Sequence, residues 1–320
     1  MSAPPRSNPA GPDATELPAE LVSRLRRARD MRDEDKLYRH RGVLYPLLMC
    51  PREHLSALEG VTAREDDILL AAYPKCGFNW MVGLLKKILT QATGRNIETN
   101  DPPLVEFFGP DVAEVMDGMA SPRLLGTHMH PDNIPPSFYA KKTKMLVIFR
   151  NPKDTLVSYY HFCNGNPVLP SAASWDAFYE DFLSGEVGWG SYFEHAMAWE
   201  KKMDDPDVMI VTYEQLKQDL DDGVRRISSF LAAELTDDQV RLVSDGSTFA
   251  AMKENSQASH GMMGNVFFRK GEVGDWRNHF SEEQSLRMDQ MFGQHLAGTR
   301  LGRLLDYELH CRCDAEEASR

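Results

Sequence analysis

The chain has 320 residues, 42% of them hydrophobic, so it can bury a large core as one domain or as two small ones. Its formal net charge of −12 argues against broad binding to nucleic acids or to anionic membranes. Its apolar runs fall short of the roughly eighteen residues that a membrane-spanning helix needs, so we expect no such segment. An acidic chain that binds an anion must concentrate its basic residues locally, which makes clusters of Arg and Lys informative here.

The two ends of the chain have the composition of disordered tails. Residues 1–18 are rich in proline and small residues and lack the apolar core of a signal peptide. Residues 312–320 are short and polar, and we expect them to be frayed. Residues 19–311 are therefore predicted to form the folded domain.

The cysteines indicate a reducing compartment. There are five of them, an odd number, and they lack the paired spacing of metal ligands. Reduced thiols in the cytosol are the simplest explanation, so we predict a cytosolic location and no metal site. A metal bound by Cys311 and Cys313 is the remaining alternative.

Hydrophobic periodicity predicts helices and strands that alternate along the chain. The predicted helices are 19–32, 79–92, one that begins with Pro152, and 214–231; the predicted strands are 67–73, 144–149 and 207–213. Proline suits the first turn of a helix, where its missing N–H costs nothing. This alternation predicts an α/β fold, a single domain with a central, mostly parallel sheet flanked by helices.

Polar side chains follow each of the three predicted strands. Lys75 comes after the first strand, Arg150 after the second, and Tyr213 ends the third. Ligands of parallel sheets bind beyond the carboxyl ends of the strands. We therefore expect these three side chains to meet at one edge of the sheet.

The turn after the first strand, YPKCGFNW, carries one lysine and one glycine. Taken alone, it has two interpretations: an anion held by the N-terminal amides of the next helix, or an ordinary connection with a solvated lysine. It lacks the paired glycines of a Walker loop and the G-x-G-x-x-G of dinucleotide folds. A nucleoside or nucleotide kinase, which would need such a loop and Mg²⁺ ligands, is therefore disfavoured.

Three segments resemble motifs of the cytosolic sulfotransferases. YPKCGFNW resembles the phosphosulfate loop Tyr-Pro-Lys-x-Gly-Thr-Thr-Trp, and IFRNPKDTLVSYYHF resembles the strand–helix motif that binds a 3′-phosphate. FFRKGEVGDWRNHFS, residues 267–281, resembles the C-terminal phosphate loop Arg-Lys-Gly-x-x-Gly-Asp-Trp. Their details look closest to subgroup 6B. The resemblance implies a P-loop-like fold of the nucleotide-kinase type.

The resemblance also implies a reaction: transfer of a sulfonate from 3′-phosphoadenosine 5′-phosphosulfate (PAPS), as co-substrate, to a hydroxyl of a small molecule. Charge grows on the leaving phosphate oxygen, and a lysine together with helix amides can stabilise it without a metal. Lys75 has this role in the family pattern, in agreement with its position after a strand. Gly77 would let the backbone approach the phosphosulfate.

By the same resemblance, Arg150, Ser158 and the C-terminal loop hold the 3′-phosphate, with the guanidinium offering a bidentate fork. Ser158 is further expected to hold Lys75 away from the sulfonate until an acceptor binds. Trp80 and Phe249 match the family's adenine-stacking rings, with a place in the core as their alternative role. The complete predicted donor set is Lys75, Cys76, Gly77, Phe78, Asn79, Trp80, Arg150, Ser158, Tyr213, Thr248, Phe249, Met252, Arg269, Lys270 and Gly271.

The acceptor hydroxyl needs a base, and histidine suits this task because its ordinary pKa lies near the working pH. The segment LLGTHMHPDNIP resembles the family's Lys-Thr-His-Leu-Pro, which places the base at His128. His130 competes, since alternate residues of an extended segment point the same way. His161 is expected to line the pocket or to lie in the core. The predicted catalytic residues are His128, Lys75 and Ser158.

The chain departs from the family pattern at three positions. Phe78 and Asn79 replace the two threonines of the first loop, and a phenyl ring supplies no hydroxyl. Gly126 replaces the lysine before Thr-His, which removes a positive charge. The family's dimer motif has no clean match between Lys253 and Phe267, so monomer and homodimer both remain open.

An aromatic acceptor is expected to bind among apolar side chains. The predicted acceptor residues are Leu104, Phe107, Tyr160 and Phe162, joined by Phe108, and each could instead belong to the core. Members of subgroup 6B are associated with thyroxine sulfation, so the resemblance implies an iodothyronine or, more broadly, a phenol. A weakly active or inactive relative that carries a nucleotide and a hydrophobic hormone is the alternative function.

Overall fold

The computed structural model describes residues 19–97, 104–254 and 268–312, with side chains from residue 23 onward. The predicted tail 1–18 and the segment expected to hold a dimer motif therefore lie largely outside the described residues. The strands are β1 (Leu37–His40), β2 (Val43–Pro46), β3 (Ile68–Ala72), β4 (Leu124–Thr127), β5 (Lys144–Phe149) and β6 (Val208–Thr212).

Helices surround these strands, together with short 3₁₀ turns. They are α1 (Ala19–Asp30), α2 (Arg52–Ala57), α3 (Phe78–Thr93), α4 (Val112–Gly118), α5 (Pro136–Ala140), α6 (Pro152–Gly165), α7 (Trp175–Ser184), α8 (Tyr192–Glu200), α9 (Tyr213–Gln218), α10 (Leu220–Phe230), α11 (Asp237–Asp245), α12 (Phe249–Glu254), α13 (Glu282–His295), α14 (Arg300–Leu304) and α15 (Tyr307–Cys311). In the described ranges, none is long and apolar enough to cross a membrane.

The central sheet has four strands in the order β4-β3-β5-β6. All of its pairings are parallel, with Ala71 opposite Thr127 and Val147, and Phe149 opposite Thr212. β1 and β2 form a separate antiparallel hairpin. The prediction of an α/β fold with a mostly parallel central sheet is confirmed.

Both faces of the central sheet are buried. The sheet divides the core into two clusters, and alternate residues of β3 face opposite sides. Leu69 and Ala71 belong to one cluster, and Ile68 and Leu70 belong to the other. The second cluster is closed by α3, whose apolar residues recur at helical spacing. Burial on both faces is the reason that the strands read as continuous apolar runs instead of alternating patterns.

The three predicted strands and the helix 79–92 lie within one residue of their predicted bounds at each end, whereas the helix predicted at 19–32 ends two residues early, at Asp30. The helix predicted at 214–231 is wrong, because the structure has two helices there, α9 and α10, separated at Asp219. Asp219 is extended, with φ −145° and ψ 92°, and its side chain accepts a hydrogen bond from the Asp222 amide. An aspartate that caps a new helix ends the old one, although the apolar period continues through it.

A buried ion pair joins the first ends of β3 and β4. Asp67 and Arg123 are each 1% exposed, and Arg123 Nε donates to Asp67 Oδ1 over 2.6 Å. The Ile68 amide donates to the Arg123 carbonyl over 2.9 Å, so the ion pair continues the register of the sheet. Buried charges of this kind are stable only as a pair.

We therefore expect Asp67→Ala to lower the free energy of unfolding by about 3–5 kcal/mol, because it leaves the Arg123 guanidinium buried without its counter-charge. Urea unfolding followed by circular dichroism measures the loss. The control is Glu186→Ala, which removes the exposed pair with Arg39 and should cost about 0–1 kcal/mol. Equal losses in the two variants would contradict a special dependence on Asp67.

Candidate active site

The carboxyl ends of the four parallel strands bring the predicted site residues to one edge of the sheet. His128 follows β4, Lys75 lies three residues beyond β3, Arg150 follows β5, and Tyr213 follows β6. Neighbouring strands lie about 4.8 Å apart, so the four segments form a continuous rim. The expected meeting of Lys75, Arg150 and Tyr213 is found.

The loop after β3 has an unusual backbone. Lys75 has φ 69°, and Gly77, the residue before α3, has φ 109°. A Cβ on Gly77 would lie 3.0 Å from the Tyr213 ring and 3.1 Å from Ile148 Cδ1, so close packing as well as conformation requires glycine here. The loop ends at the first turn of α3, whose amides lack intrahelical partners and point toward the rim.

The Lys75 ammonium lies close to other cations. Its Nζ is 4.2 Å from the centre of the Phe162 ring, a cation–π contact. Burial, together with the positive charges of Arg150 and Arg269, lowers the pKa of Lys75 to about 7. An anion bound here would relieve this repulsion.

Ser158 lies between Lys75 and Arg150 by helix geometry. Residues 154, 158 and 162 recur every four positions and share one face of α6. Asp154 lies 3.8 Å from Arg150, while Phe162 lies beneath Lys75. The half-buried Ser158 is therefore between the two cations.

Arg150 is buried and incompletely paired. It is 8% exposed, Nη2 donates to the Glu272 carbonyl over 2.7 Å, and the guanidinium lies 4.7 Å from the centre of the Tyr213 ring. Its Nε is buried and has no hydrogen-bond partner in the structure. An orphaned charged donor is costly, which fits a site that an anion completes.

The C-terminal loop adds two cations, held by one carboxylate. Arg269 Nη2 and Lys270 Nζ donate to Asp275 over 2.5 and 2.6 Å. Burial opposes ionisation of Asp275, but these hydrogen bonds outweigh it and hold its pKa well below the usual range. The carboxylate thus holds both basic side chains close together.

Asp154 fastens this loop to α6. It accepts hydrogen bonds from the Gly274 amide (2.7 Å) and the Trp276 amide (3.0 Å) and is 1% exposed. The loop also packs on α12, because a Cβ on Gly271 would lie 2.3 Å from atoms of the Phe249 ring. The motif around residue 150 and the motif around residue 270 are therefore one structural unit.

Aromatic rings form a wall beside the first loop. Trp80 meets Tyr213 edge to face, with centroids 5.0 Å apart, and Trp80 Nε1 donates to the Ser247 carbonyl over 2.6 Å. Phe249 is half-buried and follows two residues later along the same segment. The residues predicted to stack on the adenine are thus brought together, next to the cations.

Other predicted donor residues lie further from this wall. The Cys76 thiol is buried, 3.7 Å from Thr155 Oγ1, so only its backbone faces the loop. Met252 packs on Gly83 of α3. Thr248 is exposed and caps the start of α12, and Asn79 is half-buried in the first turn of α3.

The geometry of His128 suits a base. Its Nδ1 lies 2.8 Å from the Ala72 carbonyl, which can only accept, so Nδ1 carries the proton and Nε2 is left with a free lone pair. Burial, followed by the charge of Lys75, lowers the pKa of His128 to about 4. The imidazole is therefore neutral at pH 7.

A buried carboxylate that the sequence analysis missed lies behind His128. Glu106 is fully buried and accepts hydrogen bonds from the His128 amide (2.8 Å) and from Thr127 Oγ1 (3.0 Å). Burial raises the pKa of Glu106 to about 7. An acidic residue inside the apolar run PLVEFFG was the available signal, because unpaired carboxylates are rarely buried.

The structure separates His130 from His128. His130 accepts the Asp132 amide at a 3₁₀ turn, and its ring faces His195 of α8. His161, in contrast, lies at the C-terminal loop, with its ring 5.2 Å from that of His279 and its Nε2 buried without a partner. Of the two competing histidines, His128 is the one beside Lys75.

The predicted acceptor residues do not form one group. Phe107 lies 6.3 Å from Trp189, which in turn contacts His128, and Phe162 contacts Lys75. Tyr160 packs instead against Trp175 and Phe178 of α7. Leu104 bridges to Gly126 at the edge of β4 and belongs to the core.

Comparison with known proteins identifies the family of this chain. Residues 65–300 match the family model of the sulfotransferase domain. Sulfotransferase 6B1 of Danio rerio is 58% identical over 295 residues, which cover 92% of this chain and 100% of that protein. Sulfotransferase 6B1 of Mus musculus is 46% identical over 272 residues, covering 85% and 90%.

Solved structures of related proteins lead to the same family. Mouse sulfotransferase SULT7A1 complexed with PAP superposes with a TM-score of 0.77 at 31% identity, covering 86% of this chain and all of that one. Retinol dehydratase in complex with retinol and PAP shares the fold, with a TM-score of 0.67 at 21% identity, covering 81% and 89%. The chain therefore belongs to the sulfotransferase family of enzymes, close to subgroup 6B.

Proposed function

We propose that this enzyme transfers a sulfonate from PAPS to the hydroxyl of a small apolar or phenolic acceptor, with His128 as the base. The observation that carries the proposal is the convergence of Lys75, Arg150 and the Arg269–Lys270 pair on the rim where His128 lies. Cations from three separate segments next to one neutral imidazole suit a doubly anionic donor and a proton transfer. The PAP-bound structure of a 31% identical relative supports PAPS as co-substrate.

In this proposal the two anionic ends of the donor have separate sites. The 3′-phosphate binds Arg150, Ser158, Arg269, Lys270 and the Gly271 amide, and the unpaired Nε of Arg150 is satisfied there. The phosphosulfate binds the loop from Lys75 to Asn79 and the first amides of α3. The adenine lies against the wall of Trp80, Tyr213 and Phe249.

The proposed chemistry is a direct transfer. The acceptor oxygen attacks sulfur, the bond from sulfur to the bridging phosphate oxygen breaks, and the acceptor proton moves to His128 Nε2. The leaving phosphate keeps the electron pair of the broken bond, and protonated Lys75 and the α3 amides stabilise its charge. A preorganised hydrogen-bond donor of this kind contributes about 2.7–4 kcal/mol to catalysis.

For the acceptor we propose a phenol and, more narrowly, thyroxine or another iodothyronine. The sulfotransferase 6B1 relatives support this subgroup, and aromatic side chains near His128 and Lys75 support a flat apolar acceptor.

We further propose a cytosolic location, which the buried free thiols of Cys50, Cys76, Cys163 and Cys311 support.

The decisive experiment incubates the purified protein with PAPS and a panel of phenols and iodothyronines, without added metal, beside Lys75→Ala and His128→Ala. Sulfonated product from the wild type and little from either variant would support the proposal. If the wild type bound the nucleotide and thyroxine but formed no product, it would be a nucleotide- and hormone-carrying relative.

We expect His128→Ala to slow transfer by about 10²–10⁴, because it removes the group that takes the acceptor proton. Affinity for PAP, measured by calorimetry, should stay unchanged. His130→Ala is the matched control and should keep most of the activity, since its ring lies against His195. The reverse ranking of the two variants would place the base at His130.

Arg269→Ala should weaken PAP binding about 10- to 100-fold, since a hydrogen bond to a charged group contributes about 1.5–3 kcal/mol. The rate of the saturated enzyme should fall much less. Arg277→Ala, on the same loop, is the control: its guanidinium lies over the Trp276 ring and donates to the Arg312 carbonyl. Unchanged PAP affinity in Arg269→Ala would refute the 3′-phosphate assignment.

Donor binding should take up a proton at Lys75. The pKa of Lys75 is about 7 in the free protein, and a bound anion favours the ammonium, so uptake at pH 7 is about half a proton. Donor affinity should therefore fall as pH rises above 7. Calorimetry in buffers of different ionisation enthalpy measures the uptake.

Lys75→Arg is the control for this measurement, because arginine stays charged at every pH used. Its uptake should be smaller by about half a proton, and its affinity should depend less on pH above 7. Identical uptake by the two proteins would assign the titration to another group, such as His161 or the phosphate itself.

A further inference from the structure

The imidazole of His128 lies between two aromatic side chains. Its ring centroid is 4.8 Å from that of Phe78 and 5.3 Å from that of Trp189, and both contacts are edge to face, with interplanar angles of 64° and 82°. Phe78 is 6% exposed and Trp189 is 5% exposed, so both rings are fixed in the interior.

Each of these rings is held by the backbone around it. Phe78 is the first residue of α3, directly after the constrained Gly77. Trp189 has φ 61°, and its amide donates to the Leu44 carbonyl over 2.7 Å. Its Nε1 lies 3.4 Å from Glu106 Oε1, the oxygen that also accepts the His128 amide. The tryptophan and the histidine therefore share one buried anchor.

The rings limit both the motion and the hydration of the imidazole. The hydrogen bond from Nδ1 to Ala72 sets the tautomer, while the neighbouring rings oppose rotation about the side-chain bonds and cover part of the imidazole. The charged groups that face His128 are Lys75, from the first loop, and Glu106, through the backbone amide. His128 itself is half-buried, so the two rings shield only part of the imidazole from solvent.

We propose that Phe78 and Trp189 are positioning residues that hold the His128 imidazole with Nε2 facing the acceptor. This rests on the proposed function, in which His128 is the base. Phe78 stands where the family loop carries a threonine, so the chain has exchanged a hydroxyl at the donor loop for a ring against the base. The exchange partly shields the base and holds it in place before the acceptor arrives.

Proton titration of the resting protein tests this without any turnover. Histidine labelled in the ring with ¹³C and ¹⁵N is incorporated, and the His128 resonance is assigned by its loss in His128→Gln. The His128 pKa, about 4 in the wild type, should rise by about one pH unit in Phe78→Thr, because water then reaches the ring. Phe78→Leu keeps the burial but not the flat ring and should give a smaller rise.

The control variant is Phe292→Leu, whose ring lies near the end of α13 and stacks on Tyr307, with centroids 3.8 Å apart. It should destabilise the protein without moving the His128 resonance. If the shift came only from a general loss of stability, the His128 resonance would move equally in Phe292→Leu and in Phe78→Leu. Equal shifts in these two variants would overturn the proposal. An unmoved resonance in both Phe78 variants would overturn it as well.

The pH profile of kcat/KM separates this proposal from the proposed function. If His128 is the base, the acidic limb of the profile in Phe78→Thr should move upward with the titrated pKa. If the titrated pKa of His128 rises while the acidic limb of the kcat/KM profile stays in place, the effect of Phe78 on the imidazole is supported and His128 is refuted as the base. Trp189→Leu, which removes the second ring in contact with His128, should also raise the His128 pKa.

Discussion

The parallel register of the four-stranded sheet is the constraint on which the site depends. Because Ala71 pairs with both Thr127 and Val147, the ends of β3, β4 and β5 are level, and the residues after them emerge together. A register slip would reverse the faces of a whole strand and move its last side chain into the core. The buried pair of Asp67 and Arg123 stabilises this register from the opposite end of the sheet.

The second requirement is electrostatic. Several cations come together in a chain whose net charge is −12, and carboxylates behind the rim stabilise Arg150, Arg269 and Lys270. Asp275 holds Arg269 and Lys270, while Asp154 receives two amides of their loop and lies near Arg150. The acids orient the basic residues without filling the space between them, so a bound anion adds contacts to an arrangement that already exists.

The parts that sequence predicts are those in which local pattern and backbone chemistry agree. β3 with α3 and β5 with α6 each combine an apolar run, a turn residue and a helix start, and their polar termini define the rim. Glu106 and Trp189 could not be placed in this way. They reach His128 through irregular segments far away in the chain, and only tertiary packing brings them there.

The boundary between α9 and α10 illustrates the same limit on a small scale. The apolar period runs through Asp219, but the local hydrogen bond of its side chain decides the backbone. Tyr160 shows a second limit: adjacent residues of a helix point in different directions, so its ring packs on α7 although Ser158 and Phe162 share another face of α6.

The two departures from the family pattern next to His128 act on its basicity in opposite directions. A ring in place of a hydroxyl at Phe78 makes the surroundings of His128 less polar, which disfavours the imidazolium and lowers the proton affinity of His128. A glycine in place of a lysine at Gly126 removes a cation, which favours the imidazolium and raises the proton affinity of His128. Gly126 is buried between Leu70 and Leu104 in the extended sheet, so its position has become part of the core. Burial is the largest influence on the pKa of His128, followed by the hydrogen bond to Ala72 and the charge of Lys75, so the packing around the ring is the main control of its proton affinity.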